Sequence, residues 1–214
     1  MTSSSEPVKR IVIVGNGPVE PGLVHAIDSA DIVIRFNEAN IRPNLTGNKT
    51  DILFLMNSGK SMQARLETPA YWQEPFVQDA KEIILPYHPS IVKRYHPRPN
   101  FLSRLKGRKA DWTAETLKKI EALGKKATIL SAEFYYETCQ ILEITDAELG
   151  SVFPSSGILA IRYVIETLQP ELTQIHFCGF SWQGWKRHSW GNEQRWVDKQ
   201  VQLGKISPLV PKAA

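Results

Sequence analysis

The residue pair with the clearest chemical potential lies near the carboxyl end of the chain, where His188 is followed five positions later by Glu193. A neutral imidazole, with a reference pKa of about 6.5, is well suited to act as a general base near neutral pH. An exposed loop histidine beside Trp185, Lys186 and Arg187 would need no catalytic role, however. A function for His188 therefore depends on what the fold brings to it.

A turn at residues 154–157 could hold an anion. Apolar residues at helical spacing follow it and predict a helix at 158–168, which the pair Gln169-Pro170 ends. Ser155, Ser156 and Gly157 would then lie at a helix N-terminus, where unpaired N–H groups and the helix dipole favour phosphate or carboxylate. Serine is also a common N-cap, so this signal is modest on its own.

Three further polar or glycine-containing loops follow predicted strands. Gly15-Asn16-Gly17 follows the first strand, Asn37 the second and Gly179 the last. Glycine lets a ligand approach the backbone, and asparagine offers both a donor and an acceptor. Because ligands of open α/β sheets bind beyond the carboxyl ends of the strands, these loops are expected to converge on one site.

The elements that must position these residues alternate along the chain. Strands are predicted at 9–14, 31–35, 51–56, 82–85, 127–130 and 174–178, and helices at 22–28, 113–123, 132–142, 158–168 and 192–203. This alternation is typical of an α/β fold, a single Rossmann-like domain with a mostly parallel sheet of about six strands flanked by helices. We expect a disordered tail at 1–8, the domain at 9–206 and a C-terminal tail at 207–214.

Composition narrows the classes of partner. The net charge of +4 is too small to indicate nucleic acid, and no apolar run approaches the length of a membrane span. Cys139 and Cys178 are expected to be buried free thiols in a reducing compartment, which points to the cytoplasm. The sequence does not indicate an oligomeric state.

Two segments have less certain roles. Residues 86–112 are rich in proline and basic residues, and are either a solvated face or a lid over the site. Gly59-Lys60-Ser61 ends like a phosphate loop but lacks the first glycine of that motif.

No metal site is indicated. The sequence has no Asp-x-Asp pair, no Cys/His cluster of metal spacing and no Gly-x-Ser-x-Gly elbow. The charge of a bound nucleotide would then be met by backbone donors and helix dipoles, an arrangement that suits a single phosphate.

With these residues in view, the chain resembles glycosyltransferase family 29, the animal-type sialyltransferases. Residues 11–58 resemble the large sialylmotif, 154–180 the small sialylmotif, and His188 with Glu193 the very small motif. The three motifs occur in the family's order and cover roughly two fifths of the chain.

The resemblance implies a variant Rossmann, GT-A-like fold and inverting transfer of sialic acid from a CMP-activated donor, without metal or other cofactor. The acceptor would be a glycan or glycolipid. By position, His188 would be the catalytic base and Glu193 a supporting residue. The implied donor-binding residues are Gly15, Asn16, Gly17, Asn37, Ser155, Ser156, Gly157 and Gly179.

Departures from the family pattern leave alternatives. Ile11 or a neighbour stands where the first cysteine of the family disulfide is expected, and Trp182, Trp185 and Arg187 alter the third motif. A soluble, prokaryote-like relative that transfers sialic acid or another ulosonate such as Kdo fits these features. A nucleotide-binding accessory protein that has lost transfer is the second reading. A dehydrogenase is disfavoured because the glycine spacing is wrong and no acidic residue closes the second strand.

Overall fold

Apolar, largely β-branched runs form the strands of one sheet, as expected where helices cover both faces. The computed structural model describes residues 8–105, 107–168 and 173–211. The described strands are β1 Lys9–Val14, β2 Ile32–Phe36, β3 Ile52–Phe54, β4 Glu82–Leu85, β5 Lys126–Ile129, β6 Thr173–Cys178 and β7 Ser207–Pro208. Residues 1–7 of the predicted N-terminal tail, residues 212–214 and the predicted helix stop at Gln169-Pro170 lie outside the described residues.

The sheet confirms the predicted α/β class with a single parallel sheet. Its strand order is β5-β4-β3-β2-β1-β6-β7, and every neighbouring pair of strands is parallel. The chain steps outward from β1 in one direction and returns to add β6 on its other side. Such a reversal is a topological switch point, and ligands bind outside the carboxyl ends of the strands there.

Nine helices of the described chain surround the sheet. They are α1 Val24–Asp28, α2 Gly59–Glu67, α3 Pro75–Gln78, α4 Pro89–Tyr95, α5 Phe101–Leu105, α6 Thr113–Ala122, α7 Ala132–Ile141, α8 Ser156–Thr167 and α9 Trp190–Gln202, with a 3-10 helix at Pro69–Gln73. Among the described residues, none of these helices combines the length and the apolar character needed to cross a membrane.

The structure adds elements that the sequence did not predict. The sheet has seven strands rather than about six, and β7 lies in the segment expected to be a C-terminal tail. Two residues, one of them proline, are too few to show a strand period. The 3-10 helix, α3 and α4 were missed because their first residues are Pro69, Pro75 and Pro89. Proline is a loop signal, but it is also favoured at the first position of a helix.

The central helix α8 is buried around most of its circumference. Its buried apolar residues are Ile158, Leu159, Ala160, Ile161, Val164 and Ile165. Arg162 is also buried and donates to the carbonyl of Phe134 and the hydroxyl of Thr138, at 2.7 and 2.8 Å. These bonds to α7 fix the depth of α8 and, with it, the position of its N-terminus.

Two charged residues of the segment 11–58 hold a loop in place. The carboxylate of Asp28 accepts from the backbone N–H groups of Asn48 and Lys49 at 2.9 and 3.0 Å. The buried guanidinium of Arg35 donates to the carbonyls of Thr46 and Lys49, and burial lowers its pKa to about 10. The loop at 46–49 is therefore clamped between α1 and β2.

Gly47 is expected to be essential to this clamp. Its φ is +67°, and a Cβ there would lie 2.3 Å from Oδ1 of Asp28. Gly124 has a similar φ of +65° but open space around it. Gly124→Ala should therefore lower the free energy of unfolding only by the cost of a left-handed backbone at alanine, about 1–2 kcal/mol. Gly47→Ala should cost about 1–3 kcal/mol more, because it also displaces a carboxylate that accepts two hydrogen bonds.

Urea denaturation of the two variants measures this difference in the free energy of unfolding. Equal losses for Gly47→Ala and Gly124→Ala would show that the clamp contributes nothing.

Candidate functional site

A cavity of about 300 Å³ opens at the switch point between β1 and β6. Nine of the ten residues predicted for the site line it: Gly15, Asn16, Gly17, Asn37, Ser155, Ser156, Gly157, Gly179 and His188. The tenth, Glu193, lies behind it. The loops that follow β1, β2 and β6 therefore meet the N-terminus of α8, as the strand-end argument predicted.

The glycines of this cavity are required by contact between two loops. Gly15 N–H donates to the carbonyl of Cys178, and Gly17 N–H to that of Gly179, both at 2.8 Å. A Cβ at Gly15 or Gly17 would lie 2.2 or 2.8 Å from the Gly179 carbonyl oxygen. From the sequence we expected glycine here because it lets a ligand approach the backbone. In the structure glycine is required because the backbone of Gly179 already fills the space that a side chain would occupy.

The two asparagines brace neighbouring strand ends. Asn16 donates to the carbonyl of Phe36 at 3.1 Å. Asn37 adopts a φ of +50°, which asparagine tolerates better than most residues, and its Oδ1 accepts from the Met56 N–H at 2.9 Å. No partner among the described residues engages the Nδ2 group of Asn37, which leaves a donor on the cavity wall.

The N-terminus of α8 presents free amides to the cavity. Ser155 is its N-cap, and the hydroxyl accepts from the Ile158 N–H at 3.1 Å. The N–H groups of Ser156 and Gly157 have no acceptor among the described residues. Gly157 is also sterically required, because a Cβ there would lie 2.9 Å from the ring of Phe180. Two backbone donors at a positive dipole end can bind one anionic group.

Glu193 positions this N-terminus from behind. It is fully buried, and its carboxylate accepts from the Ser155 N–H at 2.8 Å and from the Ser155 hydroxyl at 2.6 Å. Burial raises the pKa of Glu193 to about 7, against the opposing effect of these two bonds. Glu193 does not line the cavity, so its place agrees with the supporting role expected for it rather than with contact to a ligand.

One hydrogen bond to the backbone orients the ring of His188. Its Nδ1 lies 2.8 Å from the carbonyl oxygen of Phe153. A carbonyl can only accept, so Nδ1 carries the proton of the neutral ring and Nε2 keeps its lone pair. Trp185 and Trp190 flank the ring edge-on, with centroids 5.0 and 4.8 Å away. Burial lowers the pKa of His188, which favours the neutral form with Nε2 as a base.

A second cavity of about 600 Å³ adjoins the first. Asn37, Ser156 and His188 line both cavities, so the imidazole stands where the two meet. The far wall of the larger cavity comes from residues 96–99, from Ser103, from residues 108 and 109, and from the start of α2. Of the two readings of the basic segment 86–112, the structure favours the one that places it over the site.

The sequence indicated a basic segment at 86–112 and a lid as one of its two interpretations, but it did not indicate the cavity that the cations line. Lys60, Arg98 and Arg108 line it, and none of them forms an ion pair among the described residues. Lys109 also lines it but pairs with Glu115. The signal in the sequence was the absence of any acidic residue from 83 to 110. Only the fold shows that these cations meet a cavity.

A buried histidine closes the floor of the larger cavity. His96 packs between the rings of Tyr87 and Phe153, and its Nδ1 lies 2.8 Å from the Ser58 hydroxyl. Burial lowers its pKa to about 4, so it is neutral near pH 7. Within the described part of the chain, no three His, Cys, Asp or Glu side chains group together as a metal site would need.

The sequence matches the family model described as "Glycosyltransferase family 29 (sialyltransferase)" over residues 2–200. The chain belongs to this family. It is also 27% identical to the urease operon 23 kDa accessory protein of Rhizobium meliloti (strain 1021), over 95% of this chain and 94% of that protein.

Two solved sialyltransferase structures are similar to the chain. A mammalian sialyltransferase in complex with Gal-beta-1-3GalNAc-ortho-nitrophenol aligns with a TM-score of 0.53 and 18% identity, over 94% of this chain and 69% of that one. The sialyltransferase CstII of Campylobacter jejuni, in complex with the substrate analogue cytidine-5'-monophosphate, aligns with a TM-score of 0.51 and 14% identity, over 96% and 81%. At these identities the likeness concerns the fold.

The raised pKa of Glu193 predicts a pH-dependent stability. The pKa of Glu193 is about 7 in the folded protein, against an ordinary value of 4.5. The protonated carboxyl therefore contributes stability that is fully present below pH 4.5 and is lost as pH rises through about 7. The loss is on the order of 3 kcal/mol. Glu193→Gln cannot ionise, so its stability relative to wild type should increase between about pH 5 and about pH 8.

Urea unfolding of both proteins at the two pH values gives the measurement. A difference that does not change with pH would mean that Glu193 is ionised throughout.

Proposed function

We propose that the protein is an inverting, metal-independent glycosyltransferase. It moves sialic acid or a related ulosonate, such as Kdo, from a CMP-activated donor to a hydroxyl of a glycan or glycolipid. His188 is the general base. Family membership supports glycosyl transfer in general, and the arrangement of the two cavities supports the assignment of donor, base and acceptor.

The smaller cavity is assigned to the donor. A CMP-ulosonate carries one phosphate beside a sugar carboxylate, and the free amides of Ser156 and Gly157 offer donors for such a group. The amide of Asn37 supplies a further donor on the same wall. Because backbone donors and a helix dipole meet the charge, the proposal needs no metal. The likeness in fold to a CMP complex of CstII agrees with this assignment.

His188 is assigned to the acceptor hydroxyl. Its Nε2 removes the hydroxyl proton as the oxygen forms a bond to the anomeric carbon. The bond from that carbon to the phosphate oxygen breaks on the opposite face, and CMP leaves with the electron pair. The free amides of α8 stabilise the charge that develops on CMP. Attack opposite to the leaving group inverts the configuration.

The larger cavity is assigned to the acceptor, since it lies on the other side of the imidazole. The observation that carries the proposal is the position of His188 on the wall shared by both cavities, with Nδ1 bonded to Phe153 and Nε2 unpartnered among the described residues. The two free buried thiols, Cys139 and Cys178, favour a reducing compartment such as the cytoplasm.

Replacement of His188 tests the base directly. His188→Ala should retain binding of CMP, measured by calorimetry, and should lower the rate of transfer from CMP-sialic acid or CMP-Kdo by about 100-fold or more. His25→Ala is the matched control, because His25 is exposed on α1 and lines neither cavity. Equal losses of binding and turnover in His188→Ala would assign the ring a structural role.

The pH profile provides a second test. Since burial lowers the pKa of His188, kcat/KM should fall on acidification with a limb below pH 6.5, the ordinary value of histidine. A limb near pH 7 that disappears in Glu193→Gln would belong to Glu193 instead. Comparing the profiles of wild type and Glu193→Gln separates the two groups. An acidic limb above 6.5 in both proteins would contradict the assignment.

A second candidate is a nucleotide-binding accessory protein of the same family that has lost transfer. The similarity to the urease operon accessory protein favours it, as do the tryptophans that alter the third motif. This candidate predicts CMP binding without release of CMP from any CMP-ulosonate. Calorimetry with CMP, UMP and NAD, followed by a CMP-release assay, distinguishes the candidates. Tight binding of NAD alone would contradict both.

A further inference from the structure

The helix α5 exposes large apolar side chains that the fold does not cover. Phe101, Leu102 and Leu105 are 72%, 69% and 70% exposed, and no residue of this helix is buried. Leu105 lies four positions after Phe101 and three after Leu102, so it is a helical neighbour of both and the three form one patch. Contiguous exposed apolar side chains of this size mark an interaction surface.

Cations flank this apolar face without any acidic residue between them. From 83 to 110 the sequence contains seven Lys and Arg residues and no Asp or Glu. Lys93, Arg94, Arg104 and Arg108 are exposed, and none of them forms an ion pair among the described residues. The segment that contains this face therefore combines apolar area with four exposed cations that have no ion-pair partner among the described residues.

We propose that α5, with Lys93, Arg94, Arg104 and Arg108 around it, is a docking surface for an anionic lipid membrane. Apolar side chains of a short helix enter the boundary between headgroups and acyl chains, and nearby cations pair with anionic headgroups. A second copy of this chain is a poorer occupant, because a two-fold contact would bring like charges together. The helix lies on the surface and does not span the membrane.

The docking surface is continuous with the larger cavity. Ser103, within α5, and Arg98 and Arg108, on either side of it, line that cavity. Docking would bring the mouth of the cavity to the membrane, where a lipid-linked acceptor could enter. That last consequence rests on the proposed function, whereas docking does not and is tested without any donor.

Co-sedimentation with vesicles tests the proposal. Wild-type protein should bind vesicles of phosphatidylcholine mixed with phosphatidylglycerol, bind phosphatidylcholine alone much less, and lose binding as salt rises. The double variant Phe101→Ser, Leu105→Ser should bind the mixed vesicles at least about tenfold more weakly. Arg104→Gln should weaken binding by about fivefold, and only to the anionic vesicles.

Leu203→Ser is the matched control. Leu203 is 58% exposed and lies between α9 and β7, near the amino ends of the parallel strands. The loops that form the cavities lie at the carboxyl ends. Thermal unfolding verifies that the variants fold, which is expected because the replaced side chains are not buried.

Three results would overturn the proposal. They are wild-type protein that binds neither kind of vesicle, a double variant that binds as wild type does, and a Leu203→Ser variant that loses as much as the double variant. Light scattering adds a further outcome. If wild-type protein is dimeric and binds no vesicles, and the double variant is monomeric, the face is an interface with a second copy instead.

Discussion

The buried carboxylate of Glu193 holds the site together. It accepts from both the backbone N–H and the hydroxyl of Ser155, and the same hydroxyl caps α8. One side chain of α9 thereby fixes the first turn of α8, whose free amides face the smaller cavity. A buried carboxylate is costly unless its oxygens are hydrogen-bonded, so an arrangement of the two helices that breaks these bonds is disfavoured. The contact therefore specifies geometry more than it adds stability.

The spacing of His188 and Glu193 follows from the same docking. His188 lies just before α9 and binds the carbonyl of Phe153, while Glu193 lies in the first turn of α9 and binds Ser155. His188 and Glu193, which are five residues apart, thus bind Phe153 and Ser155, which are two residues apart. Neither anchor places a full negative charge on the cavity wall, because the imidazole is neutral and the carboxylate lies behind the helix. An anion entering the smaller cavity meets no carboxylate in its lining.

The sequence was sufficient for the sheet and for the residues that line the smaller cavity, and insufficient for the far wall of the larger cavity. Strands such as β1 and β4 were predicted to the residue, because buried parallel strands are continuous apolar runs with clear ends. The site residues of the smaller cavity follow directly from strand ends and motifs. For the segment 86–112 the sequence left two interpretations open. It could not show that Arg98 and Arg108 form one wall with Lys60, because that depends on how a proline-rich segment folds back over α2. No local period encodes that contact. Likewise, the sequence suggests that Gly15 and Gly179 bind a ligand. The structure shows instead that the backbone of each occupies the space that a Cβ atom of the other would need.

The arrangement around His188 bears on whether the chain catalyses or only binds. A pocket that merely holds a nucleotide needs donors for phosphate and a surface for the base. Nucleotide binding alone does not require the arrangement seen at His188. The imidazole is bonded through Nδ1, its Nε2 has no partner among the described residues, and burial lowers its pKa and so favours the neutral ring. Such a ring costs free energy to bury, and a Phe or Leu would fill the space between Trp185 and Trp190 without that cost. The proposed function gives the ring a use, the removal of a proton from a hydroxyl, and the second cavity is the space in which that hydroxyl would have to lie.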